Sequence, residues 1–232
     1  TSGSTGKPKG VMVEHASVVD HVQAYIALCA LTARDRVLQF GSFSFDASVE
    51  EIFPALAVGA ALIIRPDHVV MPDAEFIELM RRHDVTSVHL PTAFWHAWSA
   101  EVGQGRHRPP ASLQLVIAGG EAAGQQQFAT WTHAMQDHPA RWLNTYGPTE
   151  ATVTATAWGW RNGMPLPSGN PPIGRPLPGT PVYVLDQFGA LVPPGAIGEL
   201  CIGGTRVARG YLNRDELSAE RFVPDPYSAA PG

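Results

Sequence analysis

Cysteine is scarce in this 232-residue chain, charged residues make up 16%, and no apolar run is long; each shortage removes a class of protein. Its two cysteines, Cys29 and Cys201, lie inside apolar stretches and read as small buried side chains, not as a disulfide or a metal ligand. The nine histidines show no HExxH spacing, so a zinc enzyme is disfavoured, and His21, His89 and His96 read as packing or surface residues. A formal net charge of −5 leaves no basic surface for nucleic acid or anionic lipid. Apolar runs such as Ala55 to Ile64 are too short to cross a bilayer, and no basic segment followed by an apolar one opens the chain. We therefore expect a cytoplasmic protein with neither nucleic acid nor membrane as partner. The chain starts at Thr1 without a Met and stops at Gly232, and it reads as a piece of a longer polypeptide.

What is present is a core: 44% of residues are hydrophobic, enough for one large domain or two small ones. Short apolar runs at 10–13, 37–40, 61–64, 86–90 and 113–118 alternate with helical patterns at 16–31, 47–58, 73–83, 92–100 and 125–136. Such alternation predicts an α/β fold, a mainly parallel sheet covered by helices, over residues 1–161. After Trp160 proline and glycine become frequent, so 162–180 reads as a connection. From there to 232 short strands at 182–186 and 199–202, with a turn at Gln187-Phe188-Gly189, predict a smaller β-rich, barrel-like region.

Two segments carry phosphate chemistry. Thr1-Ser2-Gly3-Ser4-Thr5-Gly6-Lys7-Pro8-Lys9-Gly10 combines glycines, hydroxyls and two lysines, a composition that wraps a polyphosphate with N–H groups and cations. Pro8 stands where a Walker A motif needs Ser or Thr, which disfavours a P-loop NTPase. A flexible linker is the plain alternative. In Asn144-Thr145-Tyr146-Gly147-Pro148-Thr149-Glu150, Tyr146 can stack on a base, Thr149 can bond a phosphate and Glu150 can bind Mg²⁺. A third segment, Gly119-Gly120-Glu121, follows a strand-like run, and bare backbone at a strand's carboxyl end is where open α/β sheets place ligands.

The loop TSGSTGKPKG and the segment YGPTE resemble signatures of the adenylate-forming superfamily, which includes acyl-CoA ligases, luciferases and adenylation domains of nonribosomal peptide synthetases. Gly198 to Gly204 and Val207 to Leu212 resemble two further family segments with a structural role, although the family usually has Gly at or beside Arg206. The resemblance implies an acetyl-CoA-synthetase-like fold. It also implies an ATP site made of Thr1, Ser2, Gly3, Ser4, Thr5, Gly6, Lys7, Lys9, Gly119, Gly120, Glu121, Asn144, Tyr146, Gly147 and Thr149. Mg²⁺ would sit at Glu150, and catalysis would fall to Lys7, Thr149 and Glu150.

Asp46 stands where a helix should begin and by itself reads as an N-cap. In the resembled peptide synthetase domains the matching aspartate holds the α-ammonium of an amino acid, whereas acyl-CoA ligases do not generally carry it. The implied pocket is Asp46, Ala47, Glu50, Ala93, Val116, Ala118, Thr145, Val153 and Thr154. Glu50 is its one charged side wall, and two readings stand: a buried carboxylate that meets a basic substrate such as lysine or ornithine, or a solvated residue beside Glu51 that leaves a hydrophobic pocket.

The implied reaction joins an amino acid to AMP and passes it to phosphopantetheine on a peptidyl carrier domain, with a condensation domain also in the parent polypeptide. The rivals are an acyl- or aryl-CoA ligase fragment and a non-catalytic nucleotide-binding module. A ribose-binding aspartate, a C-terminal domain with a catalytic lysine and strands before Thr1 belong to the family but not to this sequence. The 232-residue chain alone is therefore expected to form no adenylate, and rapid pyrophosphate exchange by the purified chain would overturn this.

Overall fold

A computed structural model describes residues 8–228, so Thr1, Ser2, Gly3, Ser4, Thr5, Gly6 and Lys7 lie outside the described residues. The described part divides into two compact units. One holds residues 25–146 and 156–175; the other gathers 8–24, 147–155 and 176–228. This division is not the linear one expected. Residues 10–12 pair with 209–212 through Met12 N to Gly210 O (2.9 Å) and Leu212 N to Gly10 O (2.8 Å), while Ala208 N donates to Glu150 O at 2.8 Å. Those bonds draw early and central segments into the later unit.

The first unit is the predicted α/β architecture. Its helices and strands alternate as α1 (His15–Cys29, which begins in the other unit), β1 (Arg36–Gln39), α2 (Ala47–Ala57), β2 (Ala61–Ile64), α3 (Ala74–Arg82), β3 (Ser87–Pro91), α4 (Thr92–Gly103), β4 (Leu115–Gly119), α5 (Gln125–Ala134), β5 (Arg141–Tyr146) and β6 (Thr156–Trp160). Strands β2-β1-β3-β4-β5 run parallel in that order, and β6 is antiparallel beside β5. The two-residue β7 (Arg175–Pro176) lies next to β6.

Side chains alternate across the sheet and feed two cores. Leu38, Val88, Leu90, Val116, Ala118 and Trp142 pack with α3, α4 and α5 through Phe76, Met80, Trp95, Trp98, Phe128 and Trp131. Val37, Leu115, Ile117 and Leu143 face the other way, against Tyr25 and Cys29 of α1 and Ala55 of α2. Burial drives the Cys29 thiol well above its ordinary pKa, in keeping with an inert buried cysteine, and Cys201 is half-buried.

Within the second unit, β8 (Val182–Leu185) and β9 (Glu199–Ile202) form a two-stranded antiparallel ribbon, followed by α6 (Asp215–Arg221). The predicted strand at 10–13 is reduced to a single bridge, Val11 with Tyr211. Among the described residues no helix is long and apolar enough to cross a membrane.

The link from β1 to α2 rests on one carboxylate. Glu51 is buried and accepts from Phe40 N (3.1 Å), Gly41 N (3.0 Å) and Gln39 Nε2 (3.2 Å). Glu51→Ala strands these donors in the interior and should cost about 3 kcal/mol, measured by chemical denaturation.

Candidate active site

The residues singled out in the sequence fall in both units. In the α/β unit they begin on α2. Asp73 caps α3 by accepting from Glu75 N (3.0 Å) and Phe76 N (3.2 Å), but Asp46, at the equivalent place before α2, makes no capping hydrogen bond. Its carboxylate is not committed to the helix. Glu50 follows one turn later on the same face. It is 1% exposed, which removes the reading of a solvated carboxylate; Glu51 is equally buried. Glu50 Oε2 lies 3.3 Å from Nδ1 of His89, a β3 residue read from sequence as packing or surface. The Tyr25 hydroxyl is 3.5 Å from the same nitrogen. Burial raises the pKa of both Glu51 and Tyr25; for Glu51 the nearby His89 charge and the bonds from Gly41 and Phe40 oppose it, and for Tyr25 the charges of Cys29, Glu50 and Glu51 reinforce it.

Strand register decides which expected pocket residues share this face. Gly119 is paired with Thr145, and a Cβ at Gly119 would sit 2.6 Å from Thr145 Oγ1 and 3.4 Å from His89 Nε2. His89, Gly119 and Thr145 therefore converge on the side covered by α1 and α2, and Ile117 shares that face. Val116 and Ala118, named from sequence as pocket residues, have the opposite parity and are fully buried against α4 and α5. Ala93 is exposed on α4, on that same opposite layer. Ala47 is half-buried at the first turn of α2.

At the carboxyl ends of β4 and β5, Gly120 adopts a left-handed φ of +94° with open space where a Cβ would be, and Glu121 is exposed. Thr92 Oγ1 donates to Gly119 O (3.0 Å) and Glu121 O (3.1 Å), which fixes the turn. Tyr146 is exposed at the end of β5. Asn144 is buried, and its Nδ2 donates to Pro172 O (2.9 Å) and Pro171 O (3.3 Å), so its amide nitrogen holds the proline loop.

The second unit carries the rest of YGPTE. A Cβ at Gly147 would lie 2.2 Å from Val153 O and 2.6 Å from Ala155 N, so this position admits only glycine. After Pro148 a 3₁₀ turn, Thr149–Ala151, presents half-buried Thr149 and Glu150. Thr152 (φ 57°) and Val153 (φ 69°) then adopt left-handed backbone in succession, an unusual strain for side chains branched at Cβ. Thr152 Oγ1 donates to Arg206 O at 2.6 Å and holds that conformation. Val153 and Thr154 are buried beside it.

Arg206, the departure from the family pattern, is 1% exposed and bonded at all three nitrogens: Nε to Asp20 Oδ2 (2.8 Å), Nη1 to Thr180 Oγ1 (2.8 Å) and Nη2 to Pro178 O (2.6 Å). The Tyr211 hydroxyl donates to Glu150 Oε1 at 2.6 Å, and Lys9 Nζ lies 3.7 Å from that oxygen. Burial first, then the Glu150 hydrogen bond and charge, push the Tyr211 phenol up to about 12.

No group of three or more His, Cys, Asp and Glu among the described residues could hold a metal. One half-buried carboxylate with a neighbouring lysine fits Mg²⁺ of the kind bound through a single protein carboxylate and substrate phosphates.

Residues 1–212 match the family described as AMP-binding enzyme. Bacitracin synthase 3 of Bacillus licheniformis is 42% identical over 229 residues, covering 99% of this chain, and tyrocidine synthase 3 of Brevibacillus parabrevis is 39% identical over 233 aligned residues, covering 100% of it. The chain spans 3% of the length of the first and 4% of the second. Among solved structures, the N-terminal subdomain of Klebsiella oxytoca NpsA in complex with 3-hydroxybenzoyl-AMSN superposes with a TM-score of 0.83 at 28% identity, covering all of this chain and 57% of that one. An artificially fused adenylation-PCP di-domain of NpsA and ThdA gives 0.84 at 30% identity, covering all of this chain and 44% of that one.

Gly147→Ala should lower the thermal midpoint by several degrees through its clash with the backbone at 153–155, and differential scanning calorimetry reads it; an unchanged midpoint would show that the turn yields.

Proposed function

From the premise that the chain belongs to the AMP-binding enzyme family, we propose that it activates an α-amino acid within a nonribosomal peptide synthetase. The amino-acid carboxylate would attack the α-phosphorus of ATP, forming aminoacyl-AMP and releasing pyrophosphate. The aminoacyl group would then pass to phosphopantetheine on a peptidyl carrier domain, with a condensation domain using the product downstream. Phosphoryl chemistry of this kind depends on positioning and charge, and no side-chain nucleophile is needed. Lys7 and Lys9 would engage phosphates and Thr149 a phosphate oxygen. Tyr146, Gly119, Gly120 and Glu121 would lie along the nucleotide base. Mg²⁺, held at Glu150, would neutralise charge on the phosphates.

The observation that carries the amino-acid reading is on α2. Asp46 keeps its carboxylate clear of the helix cap, and Glu50 stands one turn on, a rise of about 6 Å. Asp46 would hold the α-ammonium while the substrate side chain runs along the helix towards Glu50. Glu50 and Glu51 are both buried, and Glu50 Oε2 lies 3.3 Å from Nδ1 of His89. A cationic side chain such as that of lysine or ornithine would reach the Glu50 carboxylate, with Thr145, Gly119 and His89 as further walls.

The solved NpsA structures hold 3-hydroxybenzoyl and 3-hydroxyanthranilyl analogues, so an aryl acid is the second reading; it would leave Asp46 without an ammonium. Substrate-dependent pyrophosphate exchange by the full-length polypeptide separates the two. Lysine or ornithine should outperform leucine and 3-hydroxybenzoate, and Glu50→Gln should lower kcat/KM for the basic substrate by about 100-fold, as for loss of one partner of a buried charge pair. Preference for leucine or the aryl acid would reject the basic pocket.

A further inference from the structure

Tyr211 lies in a segment that the sequence marks only as structural, yet its side chain joins two residues of the nucleotide motifs. The ring is held from several directions. Residues 209–212 pair with 10–12, Tyr211 N donates to Ser218 Oγ of α6 at 2.9 Å, and Phe222 packs edge-on with centroids 5.2 Å apart. The residue is 3% exposed. A side chain so confined has one position for its hydroxyl.

That hydroxyl has one proton to give and lone pairs to receive, and both capacities are used. It donates to Glu150 Oε1 at 2.6 Å and accepts from Lys9 Nζ at 3.3 Å. The Lys9 ammonium also lies 4.3 Å from the centre of the Tyr211 ring, within range of a cation–π contact. Lys9 and Glu150 stand 3.7 Å apart with the phenol bonded to both. If the hydroxyl were removed, the ammonium and carboxylate would be drawn into a closer pair, which competes with any cation for the carboxylate.

We propose that Tyr211 is a positioning residue of the nucleotide site: its hydroxyl and ring hold Lys9 and Glu150 as an oriented, spaced pair, ready for phosphate and Mg²⁺ respectively. This rests on the function proposed above. Residues outside the metal's direct contacts that orient a ligand are worth about 10- to 100-fold in metal affinity, so the effect is measurable.

Tyr211→Phe keeps the ring and its packing and removes only the hydroxyl. In the full-length polypeptide it should raise the apparent KM for Mg²⁺ in pyrophosphate exchange by about tenfold, leaving the amino-acid KM and the thermal midpoint unchanged. A second readout needs no activity: acylation of Lys9 by an amine-reactive reagent, followed by peptide mass spectrometry, should be about threefold slower or more in Tyr211→Phe, because the closer Glu150 carboxylate holds the amine protonated. An unchanged Mg²⁺ dependence together with a lowered midpoint would assign Tyr211 a purely structural role, and unchanged Lys9 labelling in Tyr211→Phe would likewise overturn the inference. If the wild-type polypeptide shows no amino-acid-dependent exchange at all, the proposed function fails, while Lys9 labelling still decides what Tyr211 does.

Discussion

Side chains of a strand alternate between the faces of its sheet, and in β3, β4 and β5 this alternation sorts residues by the chemistry they can enter. Val88, Leu90, Val116, Ala118 and Trp142 go to an apolar layer filled by tryptophan and phenylalanine. His89, Gly119 and Thr145, of the other parity on the same strands, go to the layer that holds Tyr25, Glu50 and Glu51. Parallel registry carries this sorting from strand to strand, so one choice of parity fixes the polar character of a whole sheet end. The bare backbone of Gly119 lets imidazole and hydroxyl approach there.

The second unit meets a different constraint, the placement of a short turn without regular structure to hold it. Thr149 and Glu150 sit on a 3₁₀ turn that runs into two left-handed residues, which the backbone would not choose unaided. Their support comes from the opposite end of the sequence: the Arg206 carbonyl on Thr152, the Ala208 amide on the Glu150 carbonyl, and the Tyr211 hydroxyl on the Glu150 carboxylate. Arg206 is anchored in turn through its whole guanidinium, a geometry that a lysine could not reproduce.

Much of the fold was legible because period and punctuation agree. The helical pattern predicted from 47 to 58 is α2, and that from 125 to 136 contains α5; the apolar run at 61–64 is β2, and the ribbon at 182–202 follows its turn. The pocket was less so. A resemblance aligns residues along a line and does not say which face of a strand each one takes: on β4, Val116 and Ala118 face the layer opposite Gly119. The Thr145 pairing with Gly119 shows which residues share the other face. Glu50 was ambiguous because helical spacing gives a face but not what covers it. His89 carried no motif at all. Tyr211 was hidden by distance, since Lys9 lies 202 positions away and only the folded chain brings them together.

The tryptophans have a practical side. All six, at 95, 98, 131, 142, 158 and 160, belong to the α/β unit, and the other unit has none. Four of them, Trp95, Trp98, Trp131 and Trp142, form a chain of ring contacts in one core. Indole emission excited near its red edge therefore reports on the α/β layer alone, while the unit that carries Glu150 and Tyr211 stays optically silent. A single tryptophan introduced into that second unit, in a background otherwise unchanged, would give each part of the molecule its own spectroscopic voice during unfolding.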